Sequence, residues 1–305
     1  MNKVMRSLGT LTGGGVASGV GANFDSRPVV MPIKKIVVET PTIRTFVFEY
    51  SKFSRSGGAS KPGQFVMMWI PGVDEKPFSI AYDDGKEMWL TIANVGPGTK
   101  ALFKLDVGDL VGLRGPFGTS YKFDKGERLA LLAGGYGAAP MYNVACEALK
   151  LGCGVEFIVG ARTAGLLLYE KRVAALAKKY PGKIKYLAST DDGSKGFHGY
   201  NTQILADVLG GVKGFGASRK KVSRVFACGP EIMMKKAAEM AVSAKVNCQL
   251  SLERYMKCGF GVCGQCCMDD SGICVCKSGP VYDGAAALKL SEFGKYHRDS
   301  VGRKV

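Results

Sequence analysis

Cys258, Cys263, Cys266 and Cys276 are the residues whose types and spacing most directly imply chemistry. The leading run reads C-x4-C-x2-C, and a fourth cysteine follows at a distance. That is the ligand spacing of a plant-type two-iron, two-sulfur (2Fe-2S) cluster. Four thiolates must then reach two irons from one tight loop. Gly259, Gly261 and Gly264 lie between the ligands, and glycine tolerates the positive φ that such a wrap demands. A cluster of this kind moves one electron at a time. Zinc is the competing reading, but zinc ribbons pair C-x2-C with C-x2-C and the leading spacing here is x4. A disulfide framework fits less well, because the chain has no convincing secretory signal and is large enough to build a core. Six of the ten cysteines fall between Cys258 and Cys276, so the adjacent Cys267 and the nearby Cys274 leave the ligand set open. Cys146, Cys153, Cys228 and Cys248 are scattered and read as small buried hydrophobes.

Three further motifs have the residue types of a cofactor site. Gly134-Gly135-Tyr136-Gly137-Ala138-Ala139-Pro140 follows an apolar run and opens a helix. Glycines let backbone approach a ligand there, and a helix N-terminus favours phosphate. The run is not G-x-G-x-x-G, so the usual dinucleotide fingerprint is missing, and a turn that only packs helix on strand accounts for it equally well. Cys228-Gly229-Pro230 ends a second strand and opens a second helix. Ligands of open parallel sheets bind at such ends, although an ordinary strand-to-helix turn is the plainer account. Lys76-Pro77-Phe78-Ser79 offers a cation, an extended stretch and a hydroxyl, which suit a pyrophosphate and a ring edge. A surface lysine beside a turn is the commoner explanation of that motif. No residue is assigned as a general acid or base.

These motifs need elements to position them. Residues 28–124 alternate short strands (34–39, 42–49, 64–70, 88–93 and 110–114) with Gly/Pro turns, the pattern of a small antiparallel barrel. Residues 125–247 change rhythm. Strands at 129–133, 155–160, 184–188 and 222–228 alternate with helices at 140–151, 167–179 and 230–245, which predicts a doubly wound parallel sheet. Residues 248–284 form the cysteine segment, too short for a core of its own and so expected to be held together by metal. A basic tail, 285–305, closes the chain. Residues 1–27 are glycine-rich and read as a disordered extension, not a signal peptide. No internal repeat is visible.

The 305 residues carry a net charge of +16. The charge is spread out, and the one dense patch, Arg219, Lys220, Lys221 and Arg224, lacks interleaved aromatics. It reads as a solvated basic loop, and nucleic acid is not an expected partner. No apolar run reaches the roughly eighteen residues that a membrane span requires, so no membrane is expected and a cytoplasmic location is.

Taken together, the motifs resemble the ferredoxin-reductase superfamily. The resemblance covers Arg27 to the C-terminus and is closest to the electron-transfer subunits of type B dihydroorotate dehydrogenase, in an archaeal-like form. It rests on Lys61-Pro62-Gly63-Gln64-Phe65, on Leu252-Glu253-Arg254-Tyr255-Met256-Lys257-Cys258-Gly259 and on Val275-Cys276-Lys277-Ser278-Gly279-Pro280-Val281-Tyr282. The tail Phe293-Gly294-Lys295-Tyr296-His297-Arg298-Asp299 is similar too. The resemblance implies FAD on the barrel, with the R-P-x-S motif falling on Lys76, Pro77, Phe78 and Ser79. Lysine for arginine replaces a bidentate contact with a point charge. It also implies flavin contacts at Thr91, Ile92 and Ala93, a phosphate site at Gly98 and Thr99, and NAD at the parallel sheet, where Gly134, Gly135, Gly137, Cys228, Gly229 and Pro230 lie. The V-C-x-x-G-P motif selects Cys276 as fourth ligand and leaves Cys267 and Cys274 as bystanders.

The implied activity is electron transfer between FMN in a separate dihydroorotate dehydrogenase catalytic subunit and NAD, through the 2Fe-2S cluster and FAD. It serves pyrimidine (UMP) biosynthesis, in a heterotetramer of two subunits of each kind. The tail and the cysteine segment are the expected docking face. The alternatives are an FAD and iron–sulfur subunit of a sulfhydrogenase or sulfite reductase, an oxygenase reductase component, and a zinc-binding interaction module.

Overall fold

The computed structural model describes residues 27–49, 59–211 and 221–305. The predicted disordered extension therefore lies, apart from Arg27, outside the described residues, as do Arg219 and Lys220 of the basic patch. Arg224 of that patch is tied down, with Nε 2.7 Å from Glu127 and its guanidinium 2.9 Å from Asp124.

The first unit comprises β1 (Val29–Pro32), β2 (Lys35–Thr40), β3 (Ile43–Glu49), β4 (Phe65–Ile70), β5 (Asp74–Asp83), β6 (Glu87–Ala93), helix α1 (Pro97–Leu102) and β7 (Leu110–Phe117). The strands form an antiparallel half-barrel in the order β1-β7-β4-β5-β6-β3-β2. Its inner face buries Phe46, Phe48, Met68, Ile80 and Leu90. The sequence pattern missed β5 because Pro77 interrupts it. The half of β5 that holds Pro77 pairs with β4, and the half from Ile80 onward pairs with β6. Pro77 thus sits where β5 has a ladder on one side, the setting in which a strand tolerates proline.

The second unit alternates strand and helix. It contains β8 (Arg128–Gly134), α2 (Ala138–Lys150), β9 (Gly154–Ala161), α3 (Glu170–Lys179), β10 (Ile184–Thr190), β11 (Phe197–His198), α4 (Asn201–Gly210), β12 (Arg224–Cys228), α5 (Glu231–Ser243) and β13 (Asn247–Ser251). Two short helices, α6 (Val275–Ser278) and α7 (Gly284–Ala287), flank the last strand, β14 (Val281–Asp283). The sheet order is β11-β10-β9-β8-β12-β13-β14, parallel except where β14 runs antiparallel to β13. Every residue of β8 is buried, as its continuous apolar run requires. Residues of α2 and α3 pack on one face, and those of α4 and α5 on the other. The two units meet where Trp89 of β6 stacks on Tyr142 of α2, with ring centroids 6.4 Å apart. Asn143 Nδ2 also donates to Ile80 O at 3.2 Å.

Two expectations change here. The parallel sheet does not stop at residue 247, because β13 continues it, pairing Asn247 to Leu250 with Arg224 to Ala227 of β12. That strand alternates polar Asn247, Gln249 and Ser251 with apolar positions, so it lacks the unbroken apolar run by which its neighbours were read. Nor is metal alone left to hold the cysteine segment, which leaves the sheet after β13 and returns to it at β14. Its Met256, Cys266, Met268, Val275 and Cys276 join one core with Phe65 and Met67 of the half-barrel and Ala238 of α5.

Candidate functional site

A cavity of about 1750 Å³ lies between the half-barrel and the carboxyl ends of the parallel strands. That exceeds the roughly 300–1,000 Å³ of a single small-molecule pocket, leaving room for more than one ligand. On the half-barrel wall stand Lys76, Pro77, Phe78, Ala93, Gly98 and Thr99. On the sheet wall stand Gly134, Gly135, Gly229 and Pro230. Five of the predicted residues lie off the lining. Ser79 follows on β5 and is half-buried, and Ile92 belongs to the half-barrel core. Thr91 is buried against the Thr45 hydroxyl at 2.7 Å and the Tyr169 hydroxyl at 2.5 Å. Gly137 and Cys228 lie behind the lining, packed on each other. A Cβ on Gly137 would sit 2.2 Å from Cys228 O.

The two loop motifs thus touch directly, as the packing account of their glycines has it. Gly137 exists to let the Cys228-Gly229 loop approach, whereas a Cβ on Gly135 would meet nothing within 4 Å, so that position opens on free space. Thr99 Oγ1 accepts from Val95 N and Gly96 N, both at 3.0 Å, and so caps α1. Lys76 Nζ pairs with Asp74 at 2.7 Å and donates to the Tyr255 hydroxyl at 3.0 Å. Desolvation lowers the Lys76 pKa, but bonds to Asp74 and Tyr255 outweigh it and leave the pKa raised.

Sequence reasoning missed several cavity residues. Tyr136, inside the glycine loop, donates to Glu253 at 3.2 Å. Desolvation raises the Glu253 carboxyl, the Tyr136 bond pulls it down, and nearby Glu231 adds to the rise. Arg254 is 3% exposed and binds Glu292 at 2.6 Å and also Glu231. Glu292 in turn accepts from Asp269 N at 2.8 Å, and Glu231 accepts from Gly294 N at 2.8 Å. One arginine therefore ties the cysteine segment, α5 and the tail together. The tail itself lines the cavity from Gly294 to Ser300. Arg298 grips Asp269 with Nε at 2.8 Å and Nη2 at 2.9 Å, and Tyr296 donates to the same carboxylate at 2.8 Å. A signal for Glu253, Arg254 and Tyr255 did exist, because all three lie in the run leading to Cys258.

The cysteine loop wraps as its glycines predict, with φ of 84°, 86° and 73° at Gly259, Gly261 and Gly264. It lies on the half-barrel, since a Cβ on Gly259 would sit 2.7 Å from the Met67 side chain, and Phe260 packs on Phe117 with centroids 6.4 Å apart. All four candidate ligands are free thiols, and Cys266 and Cys276 meet through the Cys276 amide. Among the described residues, no three His, Cys, Asp or Glu side chains converge on one ion site. Backbone amides point at sulfur, from Gly261 N to Cys276 at 3.1 Å, Val262 N to Cys258 at 3.4 Å and Cys276 N to Cys266 at 3.4 Å. Desolvation raises the Cys258 pKa, but the amides of Cys263, Phe260 and Val262 draw it down to about 6. Cys276, as hydrogen-bond donor, draws Cys266 down to about 6. A lowered thiol pKa favours the thiolate that metal ligation uses, whereas the interaction with Cys266 and burial raise the Cys276 thiol above its ordinary value.

Residues 131–239 match the oxidoreductase NAD-binding domain, and residues 253–287 match the iron-sulfur cluster binding domain of dihydroorotate dehydrogenase B. Among solved structures, a chain of an NADH-dependent reduced ferredoxin-NADP oxidoreductase superposes with TM-score 0.71 at 26% identity, covering 84% of this chain and 88% of that one. A ferredoxin NADP+ reductase from Neisseria gonorrhoeae shares the fold, with TM-score 0.58 at 19% identity over 70% of this chain and 90% of that one. Half-barrel, NAD-binding sheet and iron–sulfur segment define an oxidoreductase of the ferredoxin-reductase kind that carries a cluster domain of its own. The probable dihydroorotate dehydrogenase B (NAD(+)) electron transfer subunit of Methanocaldococcus jannaschii is 42% identical over 279 residues, 92% of this chain and 98% of that protein. Its counterpart in Methanocella arvoryzae is 41% identical over 281 residues, 91% of this chain and 98% of that protein. The chain belongs to the family of dihydroorotate dehydrogenase B electron transfer subunits. No helix among the described residues is long and apolar enough to cross a membrane.

Proposed function

We propose that this chain takes electrons from the FMN of a dihydroorotate dehydrogenase catalytic subunit and passes them through a 2Fe-2S cluster and FAD to NAD+, in pyrimidine biosynthesis. The observation that carries this reading is the seating of the cysteine loop. The loop rests on β4 and β7 of the half-barrel, and Tyr255, just before Cys258, meets Lys76 in the cavity. A cluster held by this loop would neighbour the cavity, which supports an electron hop between them.

The residues suit the groups. Four free thiols on one loop are the number that a 2Fe-2S cluster takes, and the amides aimed at sulfur favour the thiolate form. Lys76, Arg162, Lys236 and Lys295 stand on the cavity lining among the carboxylates Asp74, Asp191 and Glu253, and are the cations that would meet pyrophosphates. FAD, when bound, accepts a hydride's two electrons or releases them singly. The protein's own part is to bind and orient: Lys76 supplies a cation on the half-barrel wall, and the Gly135 and Gly229 loops give backbone access on the sheet wall. The assembly is a heterotetramer of two catalytic and two electron-transfer subunits, docked at the cysteine segment.

Stopped-flow mixing with NADH tests the reading. Flavin bands should bleach and the broad cluster absorption should then fall. A purified, iron-replete protein with no flavin bands, or flavin that NADH leaves unbleached, would overturn it. Titrating the catalytic subunit by light scattering gives the stoichiometry, and a plateau away from one-to-one would remove the heterotetramer.

A further inference from the structure

Cys267 and Cys274 are not among the four candidate ligands, yet their own sulfurs are 2.6 Å apart. The two residues face each other across an isolated antiparallel bridge. Backbone bonds bracket them, from Val275 N to Cys266 O at 3.1 Å and from Met268 N to Ile273 O at 2.9 Å. That pattern makes residues 267 and 274 a non-hydrogen-bonded pair, the narrow position of an antiparallel ladder, with Cα atoms about 4.5 Å apart. Such a spacing falls within the range of Cα separations that a disulfide spans, at its short end. The hairpin end is closed by Gly272 N donating to Met268 O at 3.0 Å, with Asp270 and Gly272 at φ 63° and 64°. Both cysteines are half-buried, within reach of a small thiol reagent.

We propose that Cys267 and Cys274 form a reversible disulfide, a thiol–disulfide exchange site beside the cluster ligands. The oxidant is a small-molecule disulfide, RSSR. One protein thiolate attacks RSSR, making a mixed disulfide and releasing one RSH. The second displaces the remaining RSH and closes the Cys267–Cys274 bond. Two protein thiols and one RSSR thus become one protein disulfide and two RSH, with two electrons passing to the small molecule. Exchange runs in both directions, so excess RSH attacks the closed bond and reopens it by the reverse two steps. Closure staples a hairpin whose two arms begin and end next to Cys266 and Cys276, and so holds one ligand pair in register.

The test uses the holoprotein under anaerobic glutathione mixtures, quenched by alkylation and mapped by mass spectrometry. The Cys267–Cys274 cross-link should appear and vanish over about a hundredfold range in the ratio of glutathione disulfide to squared glutathione, as a two-electron couple requires. Cluster absorbance should stay constant, and Cys274→Ser should lose the cross-link while keeping that absorbance. Should Cys274→Ser fail to fold, the wild-type titration decides alone. Three outcomes overturn the proposal: no cross-link across the range, a bond from either residue to Cys258, Cys263, Cys266 or Cys276, or loss of absorbance in a folded Cys274→Ser, which would make Cys274 a ligand. A chelator should bleach the oxidised form several-fold more slowly than the reduced form, and equal rates would remove the stapling role.

Discussion

Cys276 and Cys274 differ by two positions and by everything around them. Cys276 is buried, donates its amide to Cys266 Sγ and receives the Gly261 amide. Cys274 is half-buried and faces Cys267. Replacing Cys276 with serine should therefore abolish the cluster absorption and most bound iron, whereas Cys274→Ser should retain both; iron analysis with a visible spectrum checks the pair. Gly137 has a different kind of constraint. Alanine there would press into Cys228 O, and forced overpacking of this kind costs roughly 1–3 kcal/mol. Gly137→Ala should lower the thermal midpoint and weaken NADH binding, while Gly135→Ala, strained only by its φ of 54°, should do less. The cysteine spacing was legible from residue types alone. The division of the glycines was not, because what a Cβ would strike depends on a loop almost a hundred residues away.

At the scale of elements, the C-terminal tail is a wall of the cavity as well as a charged surface. Its Arg298 binds Asp269, whose carboxyl is held below its ordinary value of 3.8, first by Arg298 and then by Tyr296. A depressed carboxyl pKa means that the folded state favours the charged form. The anchorage is complete above 3.8 and is lost as pH falls through the lowered value in the folded protein. Asp269→Asn should mimic that loss at neutral pH: the tail's amides should exchange faster and carboxypeptidase should trim it several-fold sooner, with the sheet unaffected. Unchanged exchange would show that the tail is held elsewhere. Most strands and helices of both units were legible from period and turn signals. The short β1, α1 and β11 and the helix α4 were not read at all, and three other departures have local causes: a proline hides β5, polar alternation hides β13, and Tyr169, at φ 66°, delays α3 from the expected 167 to Glu170.

For the whole molecule, Arg254 is the joint. It sits 3% exposed between Glu292, itself 2% exposed, and Glu231, linking the cysteine segment to the tail and to α5. Removing one member of a buried ionic group leaves the others uncompensated, at a cost of about 3–5 kcal/mol. Arg254→Met should lower the thermal midpoint and speed iron loss, and a compensating Glu292→Leu should recover part of both; calorimetry and iron release measure this. The shared core makes a related prediction. A fragment of residues 248–305, supplied with iron and sulfide, should fail to assemble a stable cluster, because Phe65, Met67 and Ala238 of the missing units complete its interior. A folded, coloured fragment would contradict that account.

The sequence by itself determined the chemistry on offer: a cysteine run spaced for iron and sulfide, glycines placed to wrap it, and two rhythms of apolar residues that specify a half-barrel and a parallel sheet. These are short-range properties, fixed by spacing along the chain. Only the tertiary structure decided that Cys266 meets Cys276 while Cys267 faces Cys274, that the Gly137 loop rests on the Cys228 loop, and that the cysteine segment borrows its core from both other units. Each of those depends on residues distant in sequence meeting in space, where excluded volume and buried charge select among partners that the spacing alone leaves equal.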